Sequence, residues 1–378
     1  MKTILPYLLG LALVSIFVTP SATIANEQAT EQQFHVEEMI ADIAFPWSVA
    51  FLSHRQMLVT QRNGQLRHVV NNVVSEPVGG LPEDLYVKGQ GGLLDIVLHP
   101  QYRENGWIYL SYSAGNDSRN TLKVIRAKLR DNQLYETETI LTVLPYRDTP
   151  VHYGAKMAFL ADGTLVISSG DGFDYREDAQ RLNNQMGKML RINDDGTVPK
   201  NNPFVDHDDQ LAHKVYSLGH RNPQGLVYDS GRDTIFSHEH GPAGGDEINI
   251  VSKGKNYGWP VITYGKDYSG ANITPFTQYE GMEQPLVDWT PSIAPSGLAL
   301  YTGTVFPQMH GDLLVTTLKA KDVRWVQLQG SKVVEQTTLF SDLGYRFRDV
   351  KIHPDGSIYL LVDAEQGKIL RVTPKVDG

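Results

Sequence analysis

Residues 218–260, LGHRNPQGLVYDSGRDTIFSHEHGPAGGDEINIVSKGKNYGWP, concentrate side chains that can do chemistry. His220, Arg221, Asn222 and Gln224 form a cationic, polar cluster, and a Gly/Pro loop and the acidic pair Asp246 and Glu247 follow. Glycines let backbone approach a ligand closely, and loop polar groups need partners, so this stretch reads as the floor of a cofactor and metal site. Its part from Glu239 to Glu247 suits a hard cation, because Gly and Pro expose carbonyls and carboxylates complete an oxygen set; there is no EF-hand spacing. His152, in a PVHYG loop leading into a strand, can take a proton near neutral pH and is a candidate general base. Arg346 and Arg348 are two apart on an extended segment and share a face. With Lys319 they form a cationic triad suited to a ligand bearing several carboxylates or phosphates. Ion pairing with Asp349 or Asp363 is the structural alternative for these arginines.

Composition narrows the field. The chain has 378 residues, 41% of them hydrophobic and 20% charged, which is ample for a large core. A formal charge of -9 without a basic run argues against nucleic acid or anionic membrane as partner. No cysteine is present, which excludes disulfides, a lipoprotein anchor and a cysteine-type zinc site. GxxxxGK, a dinucleotide GxGxxG and a GxSxG elbow are all missing. Residues 1–25 read as a signal peptide: Lys2, an apolar run, then Thr23-Ile24-Ala25 as a cleavage site, with the mature chain starting near Asn26. Export of a disulfide-free protein points to a bacterial periplasm or to secretion, and no later apolar run is long enough to span a bilayer.

The elements that must position these residues come from one local theme used six times: an apolar run, a Gly, Asp or Asn turn, and a second apolar run. The six units begin near Trp47, Leu93, Met157, Gly225, Gly297 and Val350. Asn63-Gly64, Asp162-Gly163 and Asp355-Gly356 are hairpin turns by type, since they tolerate positive φ. Amphipathic helix patterns are scarce. At roughly 60 residues per unit the spacing matches propeller blades with long loops, so the fold is expected to be all-β, a single six-bladed β-propeller over 26–378. Polar clusters then fall once per blade, before or after the repeated hairpins: Gln90, His152, Arg221 with Asn222, Ser292–Ser296, Lys319, and Arg346 with Arg348.

GQGGLLDIVLHP (89–100), the His152 loop, SLGHRNPQGL (217–226), EHGPAGGDEIN (239–249), NYGWP (256–260), PSIAPSGLA (291–299) and RFRDV (346–350) together resemble the soluble aldose sugar dehydrogenases that use pyrroloquinoline quinone (PQQ), relatives of soluble PQQ glucose dehydrogenase. The resemblance covers nearly the whole mature chain. It implies His152 as general base with Arg221 and Asn222 at the quinone. It implies Gln90, Lys319, Arg346 and Arg348 around PQQ, with His240 standing where the glucose branch has a glutamine. It also implies a Ca2+ on the carbonyls of Gly241 and Pro242, and a second, structural one at Glu247 with the carbonyl of Tyr257. The implied reaction oxidises an aldose at the anomeric carbon to the lactone, with hydride passing to PQQ and electrons to an external acceptor. Val151 replaces an acidic residue of the glucose branch, the chain is shorter than that branch, and dimerisation inserts are missing. With His240, these departures favour a monomeric aldose enzyme over a dedicated glucose enzyme. Gly154-Ala155-Lys156 stands where relatives show Gly-Gly-Arg, which bears on local structure and not on the base. Loops at roughly 171–177 and 267–277 are expected to set sugar choice. Two other readings remain open: a metal-dependent lactonase-type hydrolase on the same propeller, and a non-catalytic propeller that binds a sugar or a protein.

Overall fold

A computed structural model describes residues 33–375. The expected signal peptide lies outside the described residues. Six four-stranded antiparallel sheets form the blades. The first blade is β2 (Pro46–Ser53), β3 (Gln56–Gln61), β4 (Gln65–Val70) and β5 (Val73–Pro77). The second is β6 (Leu93–Leu98), β7 (Ile108–Asn116), β8 (Arg119–Arg130) and β9 (Gln133–Thr142). The third is β10 (Gly154–Phe159), β11 (Leu165–Ser169), β12 (Lys188–Ile192) and β13 (Val215–Leu218). The fourth is β14 (Pro223–Asp229), β15 (Thr234–Glu239), β16 (Asp246–Val251) and β17 (Val287–Trp289). The fifth is β18 (Pro295–Leu300), β19 (Leu313–Thr317), β20 (Val323–Gln329) and β21 (Lys332–Leu339). In the sixth, β22 (Phe347–Ile352), β23 (Ile358–Val362) and β24 (Ile369–Pro374) take β1 (Phe34–Ile40) as their outermost strand. The N-terminal strand thus closes the ring against the C-terminal one, in register from Phe34 opposite Pro374 to Glu38 opposite Leu370, with a shift before Ile40 meets Ile369.

The innermost strands β2, β6, β10, β14, β18 and β22 contact one another in that order and back to β2, so they surround a central channel. Each predicted unit contains the inner hairpin of one blade; in the first, the Asn63-Gly64 turn joins β3 to β4 rather than the two inner strands. Six apolar clusters fill the six junctions between neighbouring blades. Each blade is therefore covered on both faces, and β11, β19 and β23 are buried at every residue rather than at alternate ones. Among the described residues no helix is long and apolar enough to cross a membrane.

Candidate active site

Every innermost strand begins with a register shift, between Pro46 and Ser48, Leu93 and Ile96, Gly154 and Met157, Pro223 and Gly225, Pro295 and Gly297, and Phe347 and Asp349. A bulge breaks the two-residue alternation and re-aims one side chain. Trp47, Leu94, Gln224 and Arg348 lie in these bulges, and all four line one cavity of about 260 Å³ at the head of the channel. Gln90, Asn222, His240 and Arg346 line it too, together with Arg62 and Asp363.

The cavity is strongly cationic. Arg346 and Arg348 each place an Nη2 3.4 Å from the same oxygen, Asp363 Oδ2, and Arg346 Nη1 donates to the Leu318 carbonyl at 3.1 Å. The Nε of Arg348 is buried with no partner among the described residues. Burial pushes the Asp363 carboxyl up, but the guanidiniums of Arg348, Arg62 and Arg346 outweigh it and hold the carboxyl below the usual range. One carboxylate thus faces three guanidiniums, which leaves a surplus of positive charge and unused donors for an anion. Lys319 is exposed beside Leu318, which lines the cavity.

His152 is buried and held in a left-handed backbone conformation, φ 53°. Such strain persists where the surroundings over-determine it. Its N–H donates to Gln90 Oε1 at 2.8 Å, and its Nδ1 lies 2.8 Å from Asp171 Oδ1. A carboxylate only accepts, so Nδ1 carries the proton and Nε2 keeps its lone pair. Asp171 is fixed in turn by Trp259 Nε1 and by the Phe173 N–H, both at 2.8 Å. Burial lowers the His152 pKa below its usual value and outweighs the Asp171 carboxylate, which raises it. The ring is therefore neutral and basic at pH 7.

Arg221 lies on the same side. Its Nη1 donates to the carbonyls of His240 at 3.0 Å and Gly241 at 2.7 Å, and its guanidinium sits 5.2 Å from the Trp259 ring centre. The Arg221 and Asn222 N–H groups both donate to Glu239 Oε2. A second cavity of about 300 Å³ adjoins them, lined by Arg221, Pro242 and Trp259 and by the aromatic pair Phe173 and Tyr268. Those two rings stack with centres 6.4 Å apart, and Phe173 meets His152 edge-on at 5.2 Å. The loops near 171–177 and 267–277 thus supply the walls beside the histidine.

The acidic pair of the Gly/Pro loop separates into two roles. Asp246 is a buried anchor: Oδ1 accepts from the Gly241 N–H at 2.9 Å, and Oδ2 accepts from the Ser292 hydroxyl at 2.6 Å and from the Ile293 and Ala294 N–H groups at 2.8 Å each. Gly241 admits no side chain, since a Cβ there would come 2.2 Å from the Gly244 carbonyl oxygen. Glu247 pairs across the sheet with Glu239 on one side and Asp288 on the other. Like charges opposite one another repel, and burial, then Glu239, push the Glu247 carboxyl well above the usual range. His240 turns Nε2 to the Pro295 carbonyl at 2.7 Å. Tyr257 packs its ring on His220 with centres 4.7 Å apart. Among the described residues no group of three or more His, Asp or Glu side chains is arranged to hold a metal ion.

Sequence reasoning gave no site role to Asp171, Trp259, Arg62 or Trp47. Asp171 begins the Asp-Gly after β11, and its meaning emerges only when the 152 and 259 loops meet over it. Comparison with known proteins identifies the family and the fold. The sequence pattern of the family described as glucose/sorbosone dehydrogenase matches residues 43–371. The aldose sugar dehydrogenase YliI of Escherichia coli is 38% identical over 370 residues, covering 96% of this chain and 99% of that protein. The crystal structure of the soluble aldose sugar dehydrogenase from Escherichia coli in the apo-form superposes with a TM-score of 0.87 at 38% identity, over 90% of this chain and all of that one. The PQQ-bound form of an aldose sugar dehydrogenase from Streptomyces coelicolor shares the fold, with a TM-score of 0.74 at 24% identity over 91% of this chain and 99% of that one. The chain belongs to the glucose/sorbosone dehydrogenase family.

Proposed function

We propose that this chain is a PQQ- and calcium-dependent aldose dehydrogenase that oxidises the anomeric carbon of a sugar to the lactone. The observation that supports it is the neutral, carboxylate-held His152, whose backbone N–H is held by Gln90 of the cationic cavity and whose ring meets Phe173 of the aromatic-walled one. The first cavity fits PQQ, a flat molecule with several carboxylates, because its guanidiniums outnumber its one acid and Arg348 Nε lacks a partner. Arg62, Arg346 and Arg348 would hold the carboxylates, with Lys319 at the edge, and Gln90, Asn222 and His240 would meet the rest. When bound, PQQ supplies the hydride acceptor and calcium a Lewis acid at its carbonyl.

The chain's own residues do the remainder. The Phe173–Tyr268 wall offers an apolar face to the sugar ring. His152 Nε2 takes the proton of the anomeric hydroxyl, and Asp171 holds the ring and stabilises the imidazolium. Arg221 sits beside the base, ready for developing negative charge. Gly241 and Pro242 carbonyls would take the first calcium; the Gly241 oxygen already accepts one N–H, and a second lone pair remains. Glu247, crowded by like charges, and the Tyr257 carbonyl would take the second. Residues 1–25 would export the protein to the periplasm or beyond, where it works as a monomer with an external electron acceptor.

Reconstitution of the mature protein with PQQ and calcium, followed by dye reduction with a panel of aldoses, tests this reading. Turnover with a PQQ absorbance change is expected; neither with any aldose overturns it. The hydrolase alternative needs free carboxylates at the channel metal. Asp95 and Asp349, the channel carboxylates, are instead held by the ammonium groups of Lys156 and Lys351.

A further inference from the structure

Directly under the cationic cavity lies a group of charges that the reaction above does not use. Of the four bulged residues that line the cavity, Trp47, Leu94 and Arg348 are each followed by a buried polar residue, Ser48, Asp95 or Asp349, and these are linked across blades. One residue's rise, about 3.3 Å, separates the two layers. Lys156 of β10 enters that lower layer. Its side chain is 3% exposed, with Nζ 3.1 Å from Asp349 Oδ1 and 3.8 Å from Asp95 Oδ1. The same Nζ lies 4.3 Å from the centre of the Trp47 ring, which lines the cavity. Lys351, two residues beyond Asp349 on β22, is 3.4 Å from Asp349 Oδ2 and 4.0 Å from Asp95 Oδ1. Ser48 donates to Asp95 Oδ1 at 2.7 Å and the Met157 N–H to Asp95 Oδ2 at 2.9 Å. Two lysines and two aspartates thus balance, and the cation nearest the cavity floor is Lys156.

A ring between a buried cation and a cavity transmits the field of that cation, because little water intervenes to screen it. Electron density added to a group in the cavity is stabilised by the ammonium below. We propose that Lys156 is an electrostatic positioning residue that raises the reduction potential of the redox cofactor bound above Trp47. This rests on the PQQ reading of the cavity. Stability alone gives little reason for the arrangement, since buried ion pairs seldom outperform apolar packing of the same volume.

The test uses the full mature chain loaded with PQQ and calcium, with the potential read from visible absorbance during an anaerobic redox titration. PQQ uptake by the unaltered protein is measured first, and failure there overturns the PQQ reading itself. Lys156→Met, which keeps the volume and leaves the network one charge negative, is expected to disfavour the reduced form about tenfold, about 30 mV for a two-electron couple. Lys156→Arg is expected to keep the original potential. The double variant Lys156→Met with Asp349→Asn is neutral again and is expected to return towards it. A PQQ-loaded Lys156→Met with unchanged potential overturns the proposal, and so does a double variant that stays as low as the single one, since packing rather than charge then governs. Should Lys156→Met not fold, Asp349→Asn alone leaves the network one charge positive and is expected to raise the potential; no change there also overturns the proposal.

Discussion

Replacing Asp171 with asparagine probes the site at its most interlocked point. The carboxylate accepts three N–H groups, from His152, Trp259 and Phe173, each at 2.8 Å. An amide offers one acceptor oxygen and an NH2 group. If its oxygen stays on the His152 and Phe173 side, the NH2 faces the Trp259 donor, and one buried donor loses its partner at a cost of about 1–3 kcal/mol. If it turns, the NH2 faces His152 Nδ1, which must then accept; the ring proton moves to Nε2 and the base is lost. The histidine also loses its imidazolium partner, so kcat is expected to fall about 100- to 10,000-fold, or about 2.7–5.4 kcal/mol in the barrier. The pH profile separates this from simple misfolding. Asp171 is the group that raises the His152 pKa, whereas burial, Arg221 and Arg147 lower it. The acid limb of kcat/KM, expected below pH 6.5 in the unaltered enzyme, should therefore move to still lower pH in the residual activity. Steady-state dye reduction from pH 4 to 8 checks both effects. Activity within threefold of the original and an unmoved acid limb would refute the reasoning.

Arg348→Met should weaken PQQ binding about 10- to 150-fold, the loss of about 1.5–3 kcal/mol from a charge-assisted contact, read by quenching of tryptophan fluorescence. Calcium at 100 times its dissociation constant should stabilise the protein by about 2.7 kcal/mol, and chelation should reverse this. In Glu247→Gln the part due to the second site should vanish from the melting curve while the apo protein gains stability at pH 7, because the unfolded chain ionises this carboxyl more readily than the fold, where burial and Glu239 raise its pKa. His238 is fully buried, both ring nitrogens lack partners among the described residues, and burial lowers its pKa to about 3. The unfolded chain takes up that proton near pH 6.5 and the folded one only near pH 3, so stability should fall with decreasing pH across this window, by about 2.7 kcal/mol at pH 4.5. His238→Leu should remove that slope in chemical denaturation at pH 7 and 4.5.

The inner hairpins were legible because paired apolar runs state their strands, and in β10–β11 and β22–β23 an Asp-Gly turn states the reversal as well. The outer strands were not, since β5, with Val73 70% exposed, and β21, with Val334 59% exposed, carry no clear apolar pattern. In the site, Arg346 and Arg348 announced themselves by spacing on one segment. Arg62 and Trp47 did not, because each is an isolated residue whose meaning depends on a neighbouring blade. Asp246 and Glu247 looked equivalent as adjacent acids; the pleat sends one to four donors and the other towards two carboxylates. Asp171 was hidden for the same reason: its partners lie 19 and 88 residues away in sequence.

The bulge that opens every innermost strand has a consequence for how such a site can change. Four of the bulges present a side chain to a shared cavity, Trp47, Leu94, Gln224 and Arg348, each from a different blade, so these four positions behave as separately replaceable sockets. Substituting the occupant of one, Gln224 for instance, leaves the other three and the ring closure in place. A family built this way can diversify its ligand by swapping single occupants, and a designer can do the same by varying a handful of codons in a combinatorial library without redesigning a strand.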